Sequence, residues 1–292
     1  MIKLKHSIVL AIVTVLIYSC GSNGTTFEVF DHAAQAAKDK DTLIKYLSNH
    51  YYDTAVDSIK PLVSGKTALI DDVNLKSEDI TENEIDYKMY YYVVREGAPD
   101  PVKGFPTLLD SILVNYHLDY LVTATSAKKG QDLNTATWFD PASIAVRGWL
   151  YGFTHFKGGK NITNNGPITY ENGGRGVLII PSGLAFRNLS AGSVPGNSNL
   201  IYYVNLFDLV ENTDHDNDGL PSYLEIADAS VQSDPRFVDT DGDRIPNYLD
   251  ADDDGDGRLT KDEDTNGDGD PRNDFSDPNN PTLPDYLNPR VK

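Results

Sequence analysis

At 292 residues, with 39% hydrophobic side chains, the chain is long enough for about two domains. Its formal charge of −19 is unevenly spread: residues 211–292 carry 23 acidic and 7 basic side chains, a net of −16, so a near-neutral part precedes an acidic one. No basic, phosphate-binding surface is encoded, which argues against nucleic acid as a partner, and a single cysteine, Cys20, excludes an internal disulfide.

At the start, Lys3 and Lys5 precede an apolar run from Ile8 to Ile17 that is too short to span a bilayer comfortably. With its ending Leu16-Ile17-Tyr18-Ser19-Cys20, this stretch resembles a bacterial lipoprotein signal. The resemblance implies a signal peptide over residues 1–19, lipidation of Cys20 and a membrane partner reached through that lipid. Gly21 and Ser22 lack the aspartate associated with inner-membrane retention, so the implied location is the outer membrane of the cell envelope.

Residues 20–86 read as a tether and a helical extension. Gly21 to Thr26 is the tether, and Asp31–Tyr52 has helical spacing, with Asp41 as a candidate N-cap ahead of Leu43, Ile44, Leu47 and Tyr51. That face requires cover, either from the following domain or from a second copy in a homodimer. Residues 53–86 show no clear period. Gly65-Lys66-Thr67 ends like a phosphate loop, but Lys60 stands where its first glycine is required.

Residues 87–210 read as the globular domain. Tyr90–Arg95, Ser111–Leu118, Thr137–Phe139, Val177–Ile180 and Leu200–Val210 have strand composition, and the continuous apolar run Val177–Ile180 predicts a strand buried on both faces. Between them, Trp149, Phe153 and Phe156 follow helical spacing and place three aromatics on one side of a short helix. The expected fold class is α+β: a curved antiparallel sheet wrapped on a short central helix. Residues 161–174, with Asn165-Gly166 and Asn172-Gly173-Gly174, read as an inserted hairpin or flap.

These residues also carry a resemblance. Val114-Asn115-Tyr116, Val146-Arg147-Gly148-Trp149-Leu150-Tyr151-Gly152, Ile179-Ile180-Pro181-Ser182-Gly183-Leu184-Ala185-Phe186 and Val194-Pro195 before Leu200-Ile201-Tyr202 resemble, in order, the FKBP-type peptidyl-prolyl isomerases. On the matching positions the resemblance makes Trp149 the floor of a pocket, Tyr116, Phe186 and Tyr202 its aromatic walls, and Val146 a rim residue whose backbone meets substrate. Val194 joins the same pocket, and Trp138 or Phe139 supplies a further wall. The implied partner is a proline-containing polypeptide segment, and the pocket needs no catalytic cofactor. One departure stands out: the family's Phe-Asp pair is unmatched, the corresponding region being Thr123 to Lys129, with Asp132 nearby.

The acidic part has its own pattern. Asp214, Asp216, Asp218, Gly219 and Glu225 occupy positions 1, 3, 5, 6 and 12 of a calcium loop, and Asp252, Asp254, Asp256, Gly257 and Glu263 repeat it. Leu220 and Arg258 stand at position 7, where a main-chain carbonyl is used. A third loop, Asp239, Asp241, Asp243 and Asp250, has Arg244 in the glycine position, and a fourth, Asp264, Asn266 and Asp268, lacks an acid at position 12. Leu220-Pro221-Ser222-Tyr223-Leu224, Ile245-Pro246-Asn247-Tyr248-Leu249 and Leu283-Pro284-Asp285-Tyr286-Leu287 form an internal repeat beneath the loops. The proline at position 8 and the lack of flanking amphipathic helices oppose an EF-hand. The segment instead resembles Asp-rich thrombospondin type 3 repeats, which implies structural Ca2+ and a tail that orders as calcium binds.

Three functions are consistent with this organisation. The first is prolyl isomerisation assisting the folding of exported proteins. The unmatched Phe-Asp pair favours a second, a binding module with the same cup. The calcium repeats allow a third, adhesion or docking.

Overall fold

The computed structural model describes residues 30–226 and 235–292; the signal segment and Cys20 lie outside them. His32–Lys292 constitute one contact unit. It opens with helix α1 (His32–Ser48), followed by strands β1 (His50–Asp53), β2 (Ser58–Pro61), β3 (Leu75–Glu82), β4 (Ile85–Arg95), β5 (Ile112–Thr123) and β6 (Ser126–Phe139). The short helix α2 (Gly148–Gly152), strands β7 (Lys160–Asn161), β8 (Tyr170–Glu171), β9 (Gly174–Ile180) and β10 (Leu200–Leu209), and helix α3 (Ser222–Glu225) complete the regular elements.

Six strands form one antiparallel sheet in the order β3–β4–β9–β10–β5–β6. Side chains alternate between its faces. Met89, Leu178, Ile180, Tyr202 and Val204 point to one side, where they pack with Trp149, Phe153 and Phe156. Tyr90, Tyr92, Val177, Ile179 and Ile201 point to the other, where α1 lays Leu43, Tyr46 and Leu47 over them. Cover on both faces is what the uninterrupted apolar run of β9 predicts. Register shifts between Val114 and Tyr116, Leu118 and Asp119, and Leu121 and Thr123 bend the β5–β6 ribbon.

Helix α1 is shorter than its periodicity suggests. Asp41 is not an N-cap but lies inside the helix, and Tyr51 belongs to β1, which pairs with β2. Ser48 Oγ and Asn49 Nδ2 donate to the carbonyls of Ile44 and Lys45 and so satisfy the last turn. The apolar side of α1 is covered by the sheet of its own chain. Burying Leu43 and Leu47 there contributes about 1.5–3 kcal/mol each.

Strand β3 comes from the stretch without a clear period. It is an edge strand, Leu75-Lys76-Ser77-Glu78-Asp79-Ile80-Thr81-Glu82, exposed along much of its length, and such strands carry charge instead of a clean apolar alternation. Asn83 and Glu84 both adopt positive φ and close the β3–β4 hairpin in two residues. Residues 160–171 of the inserted region form the β7–β8 hairpin. No helix among the described residues is long and apolar enough to cross a membrane.

Candidate functional site

The short helix α2 reaches its place because it begins and ends with glycine. A Cβ on Gly148 would lie 2.6 Å from Ile180 Cγ2, and one on Gly152 would lie 2.7 Å from Leu178 Cδ1. Only hydrogen at these two positions lets the helix lie directly on β9. From the edge of the sheet Glu82, at the end of β3, meets the Arg147 guanidinium at 2.6 Å, and both are buried. The strand without sequence pattern thus fixes the start of the helix that carries Trp149.

Trp149 is surrounded edge-on. Its ring centroid lies 5.4 Å from Tyr116, 5.4 Å from Tyr202, 5.3 Å from Phe139 and 5.1 Å from Phe153, with interplanar angles of 76–83°. Tyr116 and Tyr202 meet each other at 5.1 Å and 77°. T-shaped pairs of this kind each contribute about 0.5–1.5 kcal/mol beyond area burial, so the arrangement is a rigid one.

Above them opens a cup of about 510 Å³, lined by Tyr116, Val146, Trp149, Phe186, Val194 and Tyr202 together with Leu118, Gln131, Phe139, Ile144 and the Ala191–Ser193 turn. The structure therefore brings six of the seven pocket residues expected from sequence into one cavity. Trp138 is the exception. It is half exposed and outside the cup, because neighbouring residues on β6 face opposite ways and Phe139 takes the inward position.

Among the described residues the cup is lined by no carboxylate. From β6 the cup receives Gly130, Gln131 and Phe139, and none of Thr123 to Lys129. Asp132 does not line it either: its carboxylate is held by His117 and Lys129, which also keep it below the usual carboxylate range. Among the described residues, the titratable groups lining the cup are two phenols. Burial raises Tyr116, and burial followed by the neighbouring Tyr116 raises Tyr202, so both remain protonated. Neither hydroxyl is hydrogen-bonded within the described residues, and with Gln131 and Ser193 they are the polar side chains of a lining that is mostly aromatic and aliphatic. The β7–β8 hairpin does not line the cup.

The acidic module is built from loops of one design. In the first, Asp214 Oδ2 accepts the Gly219 amide at 3.1 Å and Asp218 Oδ1 accepts the Leu220 amide at 2.8 Å. The same two bonds recur as Asp239 to Arg244 and Asp243 to Ile245, Asp252 to Gly257 and Asp256 to Arg258, and Asp264 to Gly269 and Asp268 to Asp270. The sixth residue takes positive φ in all four: 96° at Gly219, 85° at Arg244, 93° at Gly257 and 88° at Gly269. Short helical turns follow at Ser222–Glu225, Asn247–Leu249 and Thr260–Asp262, in place of the long helices of an EF-hand.

Carboxylate oxygens converge within 4.8 Å in four groups: Asp214, Asp216 and Asp218; Asp239, Asp241 and Asp243; Asp252, Asp254 and Asp256; and Asp218, Glu225 and Asp253. The last is wholly buried and was not legible from spacing, because Asp253 sits at position 2 of its own loop and reaches into another. Both oxygens of Glu225, Oδ1 of Asp253, Oδ2 of Asp218 and Oε1 of Glu263 are buried without a hydrogen-bond donor. Burial first, and neighbouring carboxylates second, raise Glu225 to about 10, Glu263 to about 8 and Asp216 to about 7. Buried hard oxygens lacking protein donors are the set a divalent cation such as Ca2+ would satisfy. Asp250, expected as a ligand of the third loop, accepts the Asp252 amide at 3.0 Å through Oδ1.

A further copy of the repeat shows the contrast. Asp277 Oδ2 accepts from Asn280 Nδ2 at 2.7 Å and from Asn288 Nδ2 at 3.3 Å, so side-chain amides stand where a cation would otherwise be needed. These bonds hold Asp277 down at about 2.

The module is fastened beside the cup. Asp110 accepts the Thr213 amide at 3.0 Å, and Thr213 Oγ1 accepts the Ser111 amide at 2.9 Å. Ile226 and Tyr248 pack with Leu109, Ala142 and Leu150, the residue next to Trp149.

Residues 215–287 match the family model described as BamM C-terminal. No curated protein matches the chain. Among solved structures, the chain is similar to a peptidyl-prolyl cis-trans isomerase from Pseudomonas syringae pv. tomato at 12% identity and a TM-score of 0.38, covering 63% of this chain and 98% of that one. It is also similar to FkpA from Escherichia coli at 20% identity and a TM-score of 0.35, covering 62% of each chain, so it spans under two thirds of that protein. The N-terminal domain of FKBP42 from Arabidopsis thaliana is similar at 17% identity and a TM-score of 0.34, over 47% of this chain and 94% of that domain.

Proposed function

We propose that the cup binds proline-containing segments of exported polypeptides and accelerates their cis-trans isomerisation. The observation that carries this reading is the convergence of Tyr116, Val146, Trp149, Phe186, Val194 and Tyr202 on one apolar cavity of about 510 Å³. Rotation about a peptide bond meets a barrier of about 18–20 kcal/mol, set by amide resonance. Water stabilises the planar, more dipolar amide, so a dry aromatic cup favours the twisted state. No nucleophile is required, and the two phenolic O–H groups can hold a carbonyl of the bound segment. For an X-Pro bond the two end states lie close in energy, which leaves rate as the quantity to be changed.

The acidic module serves in this reading as a calcium-held platform. Asp214, Asp216, Asp218, Glu225 and Asp253 would hold cation at the first loop, and Asp252, Asp254, Asp256 and Glu263 at the second. In this reading the protein is anchored in the envelope through Cys20, which the lipoprotein-like segment before it supports, and the BamM C-terminal match fits an outer-membrane setting. The test is isomerase activity of the full chain on a short X-Pro peptide and on a proline-limited refolding protein, beside Trp149→Phe with its fold verified. Activity that falls in the variant supports the reading. A second reading, a binding module without catalysis, is favoured by the lack of a carboxylate in the cup; binding of the peptide without any acceleration would select it.

A further inference from the structure

Next to the cup lies a groove of about 570 Å³ that shares Ala145, Phe186 and Ala191 with it. We infer that this groove is a second subsite, which takes an acidic residue of the same polypeptide whose proline occupies the cup; the inference rests on the reading of the cup given above. In a chain of net charge −19 the groove is lined, among the described residues, by three arginines, Arg147, Arg187 and Arg236, and by no carboxylate. Glu82 is buried beside them, 2.6 Å from Arg147 Nη2 and 3.9 Å from Arg187 Nη2.

Arg187 is the residue placed to meet a ligand. Its side chain is 40% exposed, and its backbone is held at φ 55°, in the left-handed region. Two hydrogen bonds keep it there: its amide donates to Ser182 O at 2.9 Å, and its carbonyl accepts the Asn197 amide at 2.6 Å. Positive φ at a bulky residue costs free energy, and the surrounding loop imposes it at the rim of the groove. Exposed Leu189 and Phe237 supply apolar surface for the stem of a glutamate or for its neighbour. A guanidinium fork pairs with a carboxylate through two parallel hydrogen bonds, which makes the planar acid of Asp or Glu the matching group. An extended segment advances about 3.3 Å per residue, so an acid within two or three positions of the proline reaches a cavity that shares a wall with the cup.

The test uses the full-length protein with calcium present and three fluorescent X-Pro peptides that carry Glu, Gln or Lys at the position nearest the groove. Expected affinities fall in the order Glu, Gln, Lys, with Glu over Gln by about tenfold at low salt and less at high salt. Arg187→Asn, which tolerates left-handed backbone, and separately Arg236→Gln should each bring the Glu-to-Gln ratio toward one. Equal binding of the Glu and Gln peptides by the wild type, or a ratio unmoved in both variants, overturns the inference and leaves the cup's function standing. Failure of all three peptides to bind overturns both.

Discussion

The cup and the acidic module gain cohesion by opposite means. Around Trp149 the buried groups are apolar apart from the Glu82–Arg147 pair and come from strands far apart in sequence, and the titratable groups lining the cup among the described residues are two tyrosines. In the module the buried groups include Asp218, Glu225, Asp253, Asp254 and Glu263, supplied by short local loops. The first region is held by exclusion of water, which needs nothing from outside. The second gathers carboxylates whose buried oxygens find no donor among the described residues, the arrangement a bound cation would satisfy.

The largest effect expected from this contrast is on removing calcium. Glu225, Asp253, Glu263 and Asp216 have folded-state values of about 10, 9, 8 and 7, above those of free carboxylates near 4, chiefly because of burial and then of their neighbours. From about pH 4 up to those values the cation-free fold binds more protons than the unfolded chain, so its stability falls as pH rises. A chelator at pH 7.5 should unfold residues 211–292 while the six-stranded sheet persists, and the same chelator near pH 5 should do much less. Hydrogen exchange read by mass spectrometry checks both. Simultaneous loss of sheet and module would break the comparison.

Trp149→Ala tests the other side. Removing a buried indole should cost about 3–5 kcal/mol and lower the melting temperature of the sheet. Calcium affinity of the second loop should be little changed. A loss of calcium affinity equal to that of a ligand mutant would show that the two regions are not separable.

Asp253→Asn sharpens the comparison within the module. The change lies in the second loop, yet cation affinity should fall at the first, by about tenfold as one charged ligand is lost. Calorimetric titration with calcium resolves this: one weakened site beside an unaltered second-loop site is the expected result, and weakening confined to the second loop contradicts it. The smallest effect is a gain. Arg244→Gly relieves a non-glycine residue at φ 85° and should stabilise the third loop by about 1 kcal/mol, seen as a higher midpoint in calcium-saturated denaturation.

Much of this organisation was legible along the chain because its causes are local or periodic. The acidic loops have fixed spacing, since carboxylates at alternate positions and a residue at positive φ are features of a single turn. The aromatic spacing at Trp149, Phe153 and Phe156 and the unbroken apolar run of Val177–Ile180 each report burial directly. The stretch 53–86 was opaque because β3 is a charged edge strand whose pattern is set by solvent on one side, and its hairpin closes on Asn83-Glu84 without glycine. Trp138 was a plausible wall because alternation along β6 is interrupted by register shifts that only pairing with β5 reveals.

By itself, then, the amino-acid sequence determined the contrast between a near-neutral and an acidic stretch, the aromatic set of the cup and the loops of the module, because composition and short-range spacing carry that information. Tertiary structure alone decided that α1 covers its own sheet, that Gln131 and not Asp132 lines the cup, that Asp253 crosses into a neighbouring loop and that three arginines meet beside the cup. Each of these depends on which strand or loop lies next to which, and that follows from the free energy of the whole packed chain, not from any single stretch of it.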